Sequence, residues 1–369
     1  MKAITTPLRS ILLAALGLGA TLAACGTQTP ADTGNVGGSG STTASASVSS
    51  SGSLGTGGAA SSLSFLARFD AAQSQLPEGL WVTADSKTAY LGFAFTGQIV
   101  SVALADDTVT DFATVPAPPA GKGFVTGITQ SLAGDLYVAA ATVDAAAYPG
   151  AIYKLPAAGG AVTQAFAADA AFRALNGLLF DEAGNLFVTD SVVGAIFKIS
   201  PDGQTVTDWL TDPLLLGDAS ATNPCKTPLG IPFGANGIAL SQKAFYVTNS
   251  DKATLVRIPI QADGSAGAAS VFSASDPATC LPLHGADGIT VDADGSFFIA
   301  GDGGNSLVHV GTEGKATVLS QGGLFDGPAS VSLGTLGAKK YAFLSNFGIG
   351  SYLEKKTPQV GLLSYGPLP

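Results

Sequence analysis

From about residue 64 onward, the apolar residues fall in short runs, and one order of runs and turns recurs along the chain. Each copy opens with a polar residue before Gly or Ser, followed by an apolar strand, a tight turn, and a second and third strand. The turns contain Gly, Asn and Asp, which tolerate positive φ. The opening positions, spaced by 48, 50, 60, 51 and 42 residues, are Glu78, Thr126, Asn176, Asn236, Asp287 and a degenerate sixth, Ala329.

A fourth, more polar strand follows in most copies, as at 108–115. Four strands in about 50 residues are typical of a propeller blade. We therefore predict an all-β fold over residues 63–369, a six-bladed β-propeller of four-stranded antiparallel blades. An open β-sandwich is the alternative, but five copies share the same internal order.

Two stretches need a separate interpretation. The sixth copy ends after three strands, so we predict that Ser64–Phe69 supplies the missing strand and closes the ring, which leaves no open seam. The Ala-rich stretch 161–175 has helical propensity, but its place in the repeat predicts an outer strand and a loop.

The N-terminal residues have the composition of an export signal. Lys2 and Arg9 precede an uncharged apolar run, 11–24, which is too short to span a bilayer. The sequence Leu22-Ala23-Ala24-Cys25 resembles the lipobox of bacterial lipoproteins, so we predict a signal peptide over 1–24 and lipidation of Cys25. Ordinary cleavage near Ala24, leaving a free thiol, is the alternative.

Residues 25–62 consist almost entirely of Gly, Ser, Thr and Ala after the cysteine. Such a stretch has too little apolar mass to fold and predicts a disordered tether. We therefore expect an exported protein that is anchored by lipid on the periplasmic or cell-surface side of a bacterial membrane. In such a compartment the two remaining cysteines, Cys225 and Cys280, are a possible disulfide.

The charge balance narrows the possible partners. The formal net charge is −10, with 17 basic and 27 acidic residues, which argues against nucleic acid because binding phosphate requires a basic face. We expect a monomer that binds a small-molecule substrate or ligand and touches the membrane only through its lipid. An acidic surface also suits a bound divalent cation.

The opening position of each repeat predicts where that cation binds. The first strand of each blade lines the central channel, so these residues should converge at one end of the axis. Four of the six are Glu, Asn or Asp, and converging carboxylates repel one another unless a positive charge lies between them. Oxygen ligands favour Ca²⁺, with Mg²⁺, Mn²⁺ or Zn²⁺ as alternatives. Asn or Asp before Gly can also simply form turns.

In these aligned positions the chain resembles the regucalcin and gluconolactonase (SMP-30-like) family of six-bladed propellers. The resemblance implies that Glu78, Asn236 and Asp287 hold one divalent cation, that Asp287 also acts as a general base, and that Asn176 lies beside the substrate. Family members often carry Arg two residues before that Asn. Here Ala174 occupies that position and Arg173 is one step away, so we take Arg173 and Thr126 as further substrate-binding candidates.

Two long loops lead into the fourth and fifth opening positions, 214–235 and 274–286, and each contains one cysteine. A bridge between Cys225 and Cys280 would fasten them into a rim over the channel mouth. His284, three residues before Asp287, is a candidate acid or base, or it could only hydrogen-bond the loop.

Two functions follow from this interpretation. The first is metal-dependent hydrolysis of a lactone or related ester at the channel mouth. The second is a non-catalytic propeller that binds a ligand or protein and uses calcium only for rigidity, since a fold does not fix a function.

Overall fold

The computed structural model describes residues 61–159, 161–166 and 171–369. The predicted signal peptide, Cys25 and nearly all of the predicted tether lie outside these residues. The described chain forms six sheets, each of four antiparallel strands, so the predicted six-bladed propeller is confirmed. No helix among the described residues is both long and apolar enough to cross a membrane.

Each blade runs from the channel outward in the order of its strands. Blade 1 consists of β2 (Pro77–Val82), β3 (Thr88–Phe93), β4 (Gln98–Ala103) and β5 (Val109–Thr114). Blade 2 consists of β6 (Gly123–Gln130), β7 (Leu136–Thr142), β8 (Ala151–Leu155) and β9 (Thr163–Gln164). Blade 3 consists of β10 (Leu175–Phe180), β11 (Leu186–Asp190), β12 (Ala195–Ile199) and β13 (Val206–Thr211).

The second half repeats this arrangement. Blade 4 consists of β14 (Ala235–Ser241), β15 (Ala244–Asn249), β16 (Thr254–Pro259) and β17 (Ser270–Ala274). Blade 5 consists of β18 (Ala286–Val291), β19 (Phe297–Gly301), β20 (Ser306–Val310) and β21 (Ala316–Gln321). Blade 6 consists of β22 (Pro328–Leu336), β23 (Lys339–Asn346), β24 (Gly361–Gly366) and the N-terminal β1 (Ser62–Arg68). Two short helices, the 3₁₀ turn Ala71–Gln73 and the α-helix Ile349–Leu353, complete the described elements.

The two ends of the described chain close the ring in one sheet. Strand β1 pairs antiparallel with β24, from Ser62 opposite Gly366 to Arg68 opposite Gly361. The first strands of neighbouring blades contact one another all the way round, and β22 meets β2. The predicted closing strand is therefore confirmed, since β1 is the fourth strand of the last blade.

The stretch 161–175 contains the two-residue strand Thr163–Gln164, lacks regular structure in the rest of its described part up to residue 174, and ends at the first residue of β10. The prediction of an outer strand and a loop agrees with it. Aromatic residues on the second strands pack between neighbouring blades, with Phe187 against Phe245 at 4.5 Å and Tyr246 against Phe297 at 4.4 Å between ring centroids. The core therefore lies between the blades.

Every innermost strand has a break in its pairing register at the opening position of the repeat. In blade 4, for example, the register shifts between Ala235 and Ile238, on either side of Asn236 and Gly237. A bulge re-aims the side chain that it contains. Six bulges at equivalent places therefore explain how the side chain at the opening position of a blade can be directed toward the central axis.

The glycines after these positions allow neighbouring blades to touch. A Cβ on Gly237 would lie 2.6 Å from the carbonyl oxygen of Asp287 and 2.8 Å from the amide nitrogen of Ile289. Equivalent approaches recur at Gly79, Gly127, Gly177 and Gly288. The hydroxyl of Thr248 also donates to the Asp287 carbonyl, at 2.6 Å. The backbone of Asp287 is thus held by blade 4.

Gly237→Ala should therefore destabilise the protein, because the added methyl group forces blades 4 and 5 apart. We expect a loss of roughly 2–3 kcal/mol in the free energy of unfolding, measured by urea denaturation. Gly311→Ala is the control, since the nearest atom to its added Cβ lies 3.9 Å away. Equal stability of the two variants would contradict the close packing of the inner strands.

Candidate functional site

A cavity of about 380 Å³ opens at one end of the propeller axis. Glu78, Asn176, Asn236 and Asp287 all line it. Four of the six opening positions therefore meet at one site. Thr126 is not among the residues that line it: its side chain is fully buried, and its hydroxyl donates to the carbonyl oxygen of Leu175 at 2.7 Å. That hydroxyl joins blades 2 and 3.

The Glu78 carboxyl is buried without a compensating partner. The residue is 4% exposed, and its Oε2 has no hydrogen-bond partner among the described residues. Burial, with a further contribution from the charge of Asp302, raises the pKa of Glu78 to about 8. In the absence of a cation this carboxyl is therefore largely protonated at neutral pH.

Asp287, in blade 5, is a second acidic group in the same site. Burial raises its pKa, and the charges of Glu78 and Asp302 raise it further, while hydrogen bonds from Asn236 and the Gly288 backbone oppose the shift. The side chain keeps partial contact with solvent through the channel, but protein surrounds it. Two acidic groups thus compete for ionisation in one confined space.

The amide of Asn236 is oriented by its own blade. Its Nδ2 donates to Ser250 Oγ at 3.1 Å, and that hydroxyl donates to the Ala286 carbonyl at 2.9 Å. The oxygen Oδ1 of Asn236 is buried, and no group in the described part of the chain donates a hydrogen bond to it. Asn176 has a similar but longer bond, 3.4 Å from Nδ2 to Ser191 Oγ.

These groups fit a bound cation. Glu78 Oε2 and Asn236 Oδ1 are buried acceptors without donors, and Asp287 lies beside both. A divalent cation would satisfy the two orphaned oxygens and compensate the carboxylate charges. Within the part of the chain that the structure describes, no three His, Cys, Asp or Glu side chains are grouped as a metal site. The candidate set accordingly combines two carboxylates with an amide.

Sequence reasoning missed Asp302, which also lines the cavity. Asp302 follows β19 and takes the place that Ser191 and Ser250 have after the second strands of blades 3 and 4. Burial, and then the charge of Asp326, raises the pKa of Asp302 to about 6. The position after each second strand was the signal that could have identified it.

Asp326, a second acidic residue of the lining, was also missed. Its carboxylate accepts hydrogen bonds from Ser351 Oγ and from the backbone N–H of Gln359, both at 2.8 Å. These bonds fasten the segment after β23 to the mouth of the cavity, which gives Asp326 a structural role.

His284 and Arg173 lie near the site but are not among the residues that line the cavity. The His284 ring packs on Gly303, where an added Cβ would be 3.1 Å from it, and burial lowers its pKa. Arg173 is exposed, and its guanidinium donates to the carbonyl of Phe172 at 3.0 Å. Their proposed roles in proton transfer and substrate binding stay predictions.

A disulfide joins Cys225 to Cys280, with an S–S distance of 2.05 Å and Cα atoms 5.3 Å apart. The predicted pairing is confirmed. The bridge connects the loops that precede β14 and β18, and the first of these loops contributes Thr227, Pro228 and Leu229 to the cavity. It therefore fastens part of the rim.

Part of the cavity lining is apolar. We call the following lining residues the apolar wall: Phe95, Phe124, Leu229, Phe233, Phe347 and Leu353. Sequence reasoning missed this wall, because its members come from the segments around several different strands. The site thus combines an acidic floor with hydrocarbon sides.

Comparisons with known proteins agree with this architecture. A family model described as the SMP-30/Gluconolactonase/LRE-like region matches residues 218–339. The matched segment contains Asn236 and Asp287 but neither Glu78 nor Asn176. No curated protein matches the sequence.

Several solved structures share the fold. A calcium-binding protein, regucalcin, from Agrobacterium tumefaciens is 17% identical with a TM-score of 0.57, covering 82% of this chain and 92% of that one. A luciferin-regenerating enzyme is 15% identical with a TM-score of 0.61, covering 84% and 96%. Virginiamycin B lyase from Staphylococcus aureus is 19% identical with a TM-score of 0.51, covering 78% and 83%.

At these identities the structural matches establish the fold alone. The family model adds a match in sequence across blade 4, blade 5 and the start of blade 6. Residues 218–339 thus carry the SMP-30/gluconolactonase/LRE-like region, and the resemblance to that family predicted from the aligned axial residues is confirmed.

Proposed function

We propose that this protein is a divalent-metal-dependent hydrolase of lactones or related esters. The observation that carries the proposal is the pair of buried, unpartnered oxygens, Glu78 Oε2 and Asn236 Oδ1, beside Asp287 on the cavity floor. The family model named for gluconolactonase supports it. Regucalcin from Agrobacterium tumefaciens, which shares the fold, is a calcium-binding protein, and this supports a cation.

Glu78, Asn236 and Asp287 would hold the ion, and their oxygen ligands favour Ca²⁺, with Mg²⁺, Mn²⁺ or Zn²⁺ as alternatives. When bound, the ion supplies Lewis-acid polarisation of the substrate carbonyl. The protein contributes a confined cavity in which attraction between charges is stronger than in water.

Hydrolysis requires water to add to the carbonyl carbon, the ring C–O bond to break, and one proton to reach the leaving oxygen. Asp287 can accept the proton from water and return it, and Asp302 beside it extends the path for that proton. Asn176 lines the cavity, and its Nδ2, whose hydrogen bond to Ser191 Oγ is long at 3.4 Å, can donate to the developing oxyanion. The product is a hydroxy acid.

The test uses protein stripped with a chelator, titrated calorimetrically with Ca²⁺, Mn²⁺ and Zn²⁺, and then assayed on a lactone panel. We expect binding of one ion per chain and metal-dependent turnover of at least one lactone. Verified metal binding with no turnover on any lactone would contradict the proposal. That outcome would favour the non-catalytic binding propeller.

We further propose that the protein is exported and anchored through lipidated Cys25, on the strength of the Leu22–Cys25 motif. The disulfide is consistent with an oxidising compartment. Cys25→Ala should move the protein from the membrane fraction to the soluble exported fraction, measured by immunoblotting in a bacterial host. Wild-type protein recovered entirely in soluble form would contradict the lipid anchor.

A further inference from the structure

We infer that the substrate is a lactone bearing a hydrocarbon substituent, with its ring at the acidic floor and its substituent against the apolar wall. This inference rests on the proposed hydrolysis and adds the substrate class. It follows from the origin of the lining groups: Glu78 and Asp287 come from innermost strands and Asp302 follows a second strand, whereas most of the apolar wall comes from the segments that connect strands.

The wall has two sides built on different blades. Phe95 follows β3, and Phe347 follows β23, with ring centroids 6.5 Å apart. Phe95 also stacks on Tyr352 at 6.0 Å, with an interplanar angle of 29°. These contacts fix the side formed by blades 1 and 6 before any ligand binds.

The opposite side comes from blade 2 and the loop that carries the disulfide. Phe233, which is 9% exposed, forms a cluster with Phe124 and Leu229 packed against it. Phe124 and Leu229 are half-buried, so part of each side chain faces the cavity. Both sides of the wall are therefore preformed, which favours an apolar ligand because little ordering is needed on binding.

The polar groups of the lining are poorly suited to a polyhydroxylated sugar. Asn236 and Ser250 bond to one another and to the backbone of blade 5, and the Ser351 hydroxyl donates to Asp326. Among the described lining residues the one positively charged side chain is Lys356, which is exposed and paired with Glu354. The Phe and Leu side chains of the apolar wall offer ring hydroxyl groups no strong hydrogen-bond partner, so a sugar that extended onto the wall would lose its hydrogen bonds to water and bind weakly.

The experiment measures kcat/KM of the metal-loaded protein for γ-lactones with no alkyl group, a propyl group and a pentyl group, with glucono-1,5-lactone as comparator. Burial of each methylene should raise kcat/KM roughly two- to fourfold. The matching 5-alkyl-2-pyrrolidinones, which as lactams resist hydrolysis, are titrated calorimetrically. We expect the same trend in their Kd.

Phe124→Ser should weaken the dependence of both kcat/KM for the lactones and Kd for the lactams on alkyl chain length, because it removes one side of the wall. The control is Leu132→Ser at the far end of the hairpin that contains Phe124. Leu132 is 89% exposed and does not line the cavity, so its substitution should leave both series unchanged.

The two proposals fail differently. Lactam binding that tightens with chain length, without turnover of any lactone, would remove hydrolysis but support the apolar ligand class. Turnover that is independent of chain length, or that favours glucono-1,5-lactone, would overturn the inference and leave the hydrolase proposal standing. The inference would also be overturned if kcat/KM and Kd of Phe124→Ser depended on alkyl chain length as strongly as those of the wild type.

Discussion

Asp287→Asn should lower kcat/KM for lactone hydrolysis by roughly 10³-fold or more, while the propeller stays folded and still binds a metal ion. Asparagine keeps an oxygen that can ligate, as the side chain of Asn236 would, but it cannot accept a proton from water. Loss of a general base alone typically costs 10²–10⁴-fold, and the change also removes charge that compensates the cation.

The same substitution should not destabilise the metal-free protein, since it removes an acidic group whose pKa is raised by burial and by Glu78. Asp111→Asn on the outer strand of blade 1 is the matched control. Its side chain is exposed, and an amide oxygen can still accept the hydrogen bond from Gln98. Calorimetric metal titration and urea denaturation accompany the kinetics. If Asp287→Asn lost stability but kept its turnover per folded molecule, a catalytic role for Asp287 would be contradicted. That result would favour the non-catalytic binding propeller.

The propeller could be predicted from the sequence because a blade is a local structure. Its strands are neighbours along the chain, and Gly, Asn and Asp mark their turns, so each repeat displays its whole pairing pattern in about 50 residues. Closure was predictable for a related reason: the sixth copy lacks one strand, and β1 beside β24 supplies it.

The axial carboxylates and amides could also be predicted, because the opening position recurs in every repeat. The role of the residue at the opening position could not be inferred from alignment alone. Thr126 occupies that position, but its hydroxyl bonds to the Leu175 carbonyl, a pairing between blades that the one-dimensional pattern does not contain. A short side chain that reaches a backbone acceptor is held by it.

Asp302 was missed because its side chain differs from those at the equivalent positions of blades 3 and 4, and the apolar wall was missed because most of its members lie outside the strands. Asp302 replaces a hydroxyl residue at the end of a second strand, and its importance depends on the blade to which it belongs. Phe95, Phe233 and Phe347 lie in connecting segments, where the lengths of the loops decide which side chains reach the axis. Such segments carry functional residues without strand periodicity.

In the absence of a bound cation, the protein should become less stable as the pH rises from about 5 to 8. The pKa of Glu78 is raised from 4.5 to about 8, so in this window the folded state binds more protons than the unfolded state. Stability then falls with increasing pH. The expected loss is roughly 3–5 kcal/mol, measured as urea unfolding at several pH values with chelator present.

Saturating Ca²⁺ should reverse this trend, because the cation binds the ionised carboxylates of the folded state and adds stability by mass action. The increase in the free energy of unfolding caused by Ca²⁺ should therefore be larger at pH 8 than at pH 5. Glu78→Gln should remove most of the pH dependence of the metal-free protein and weaken the calcium effect, whereas Glu313→Gln, at an exposed position, should change neither. A metal-free wild type whose stability is constant or rises between pH 5 and 8 would show that Glu78 is not the buried acid on which the cation site depends.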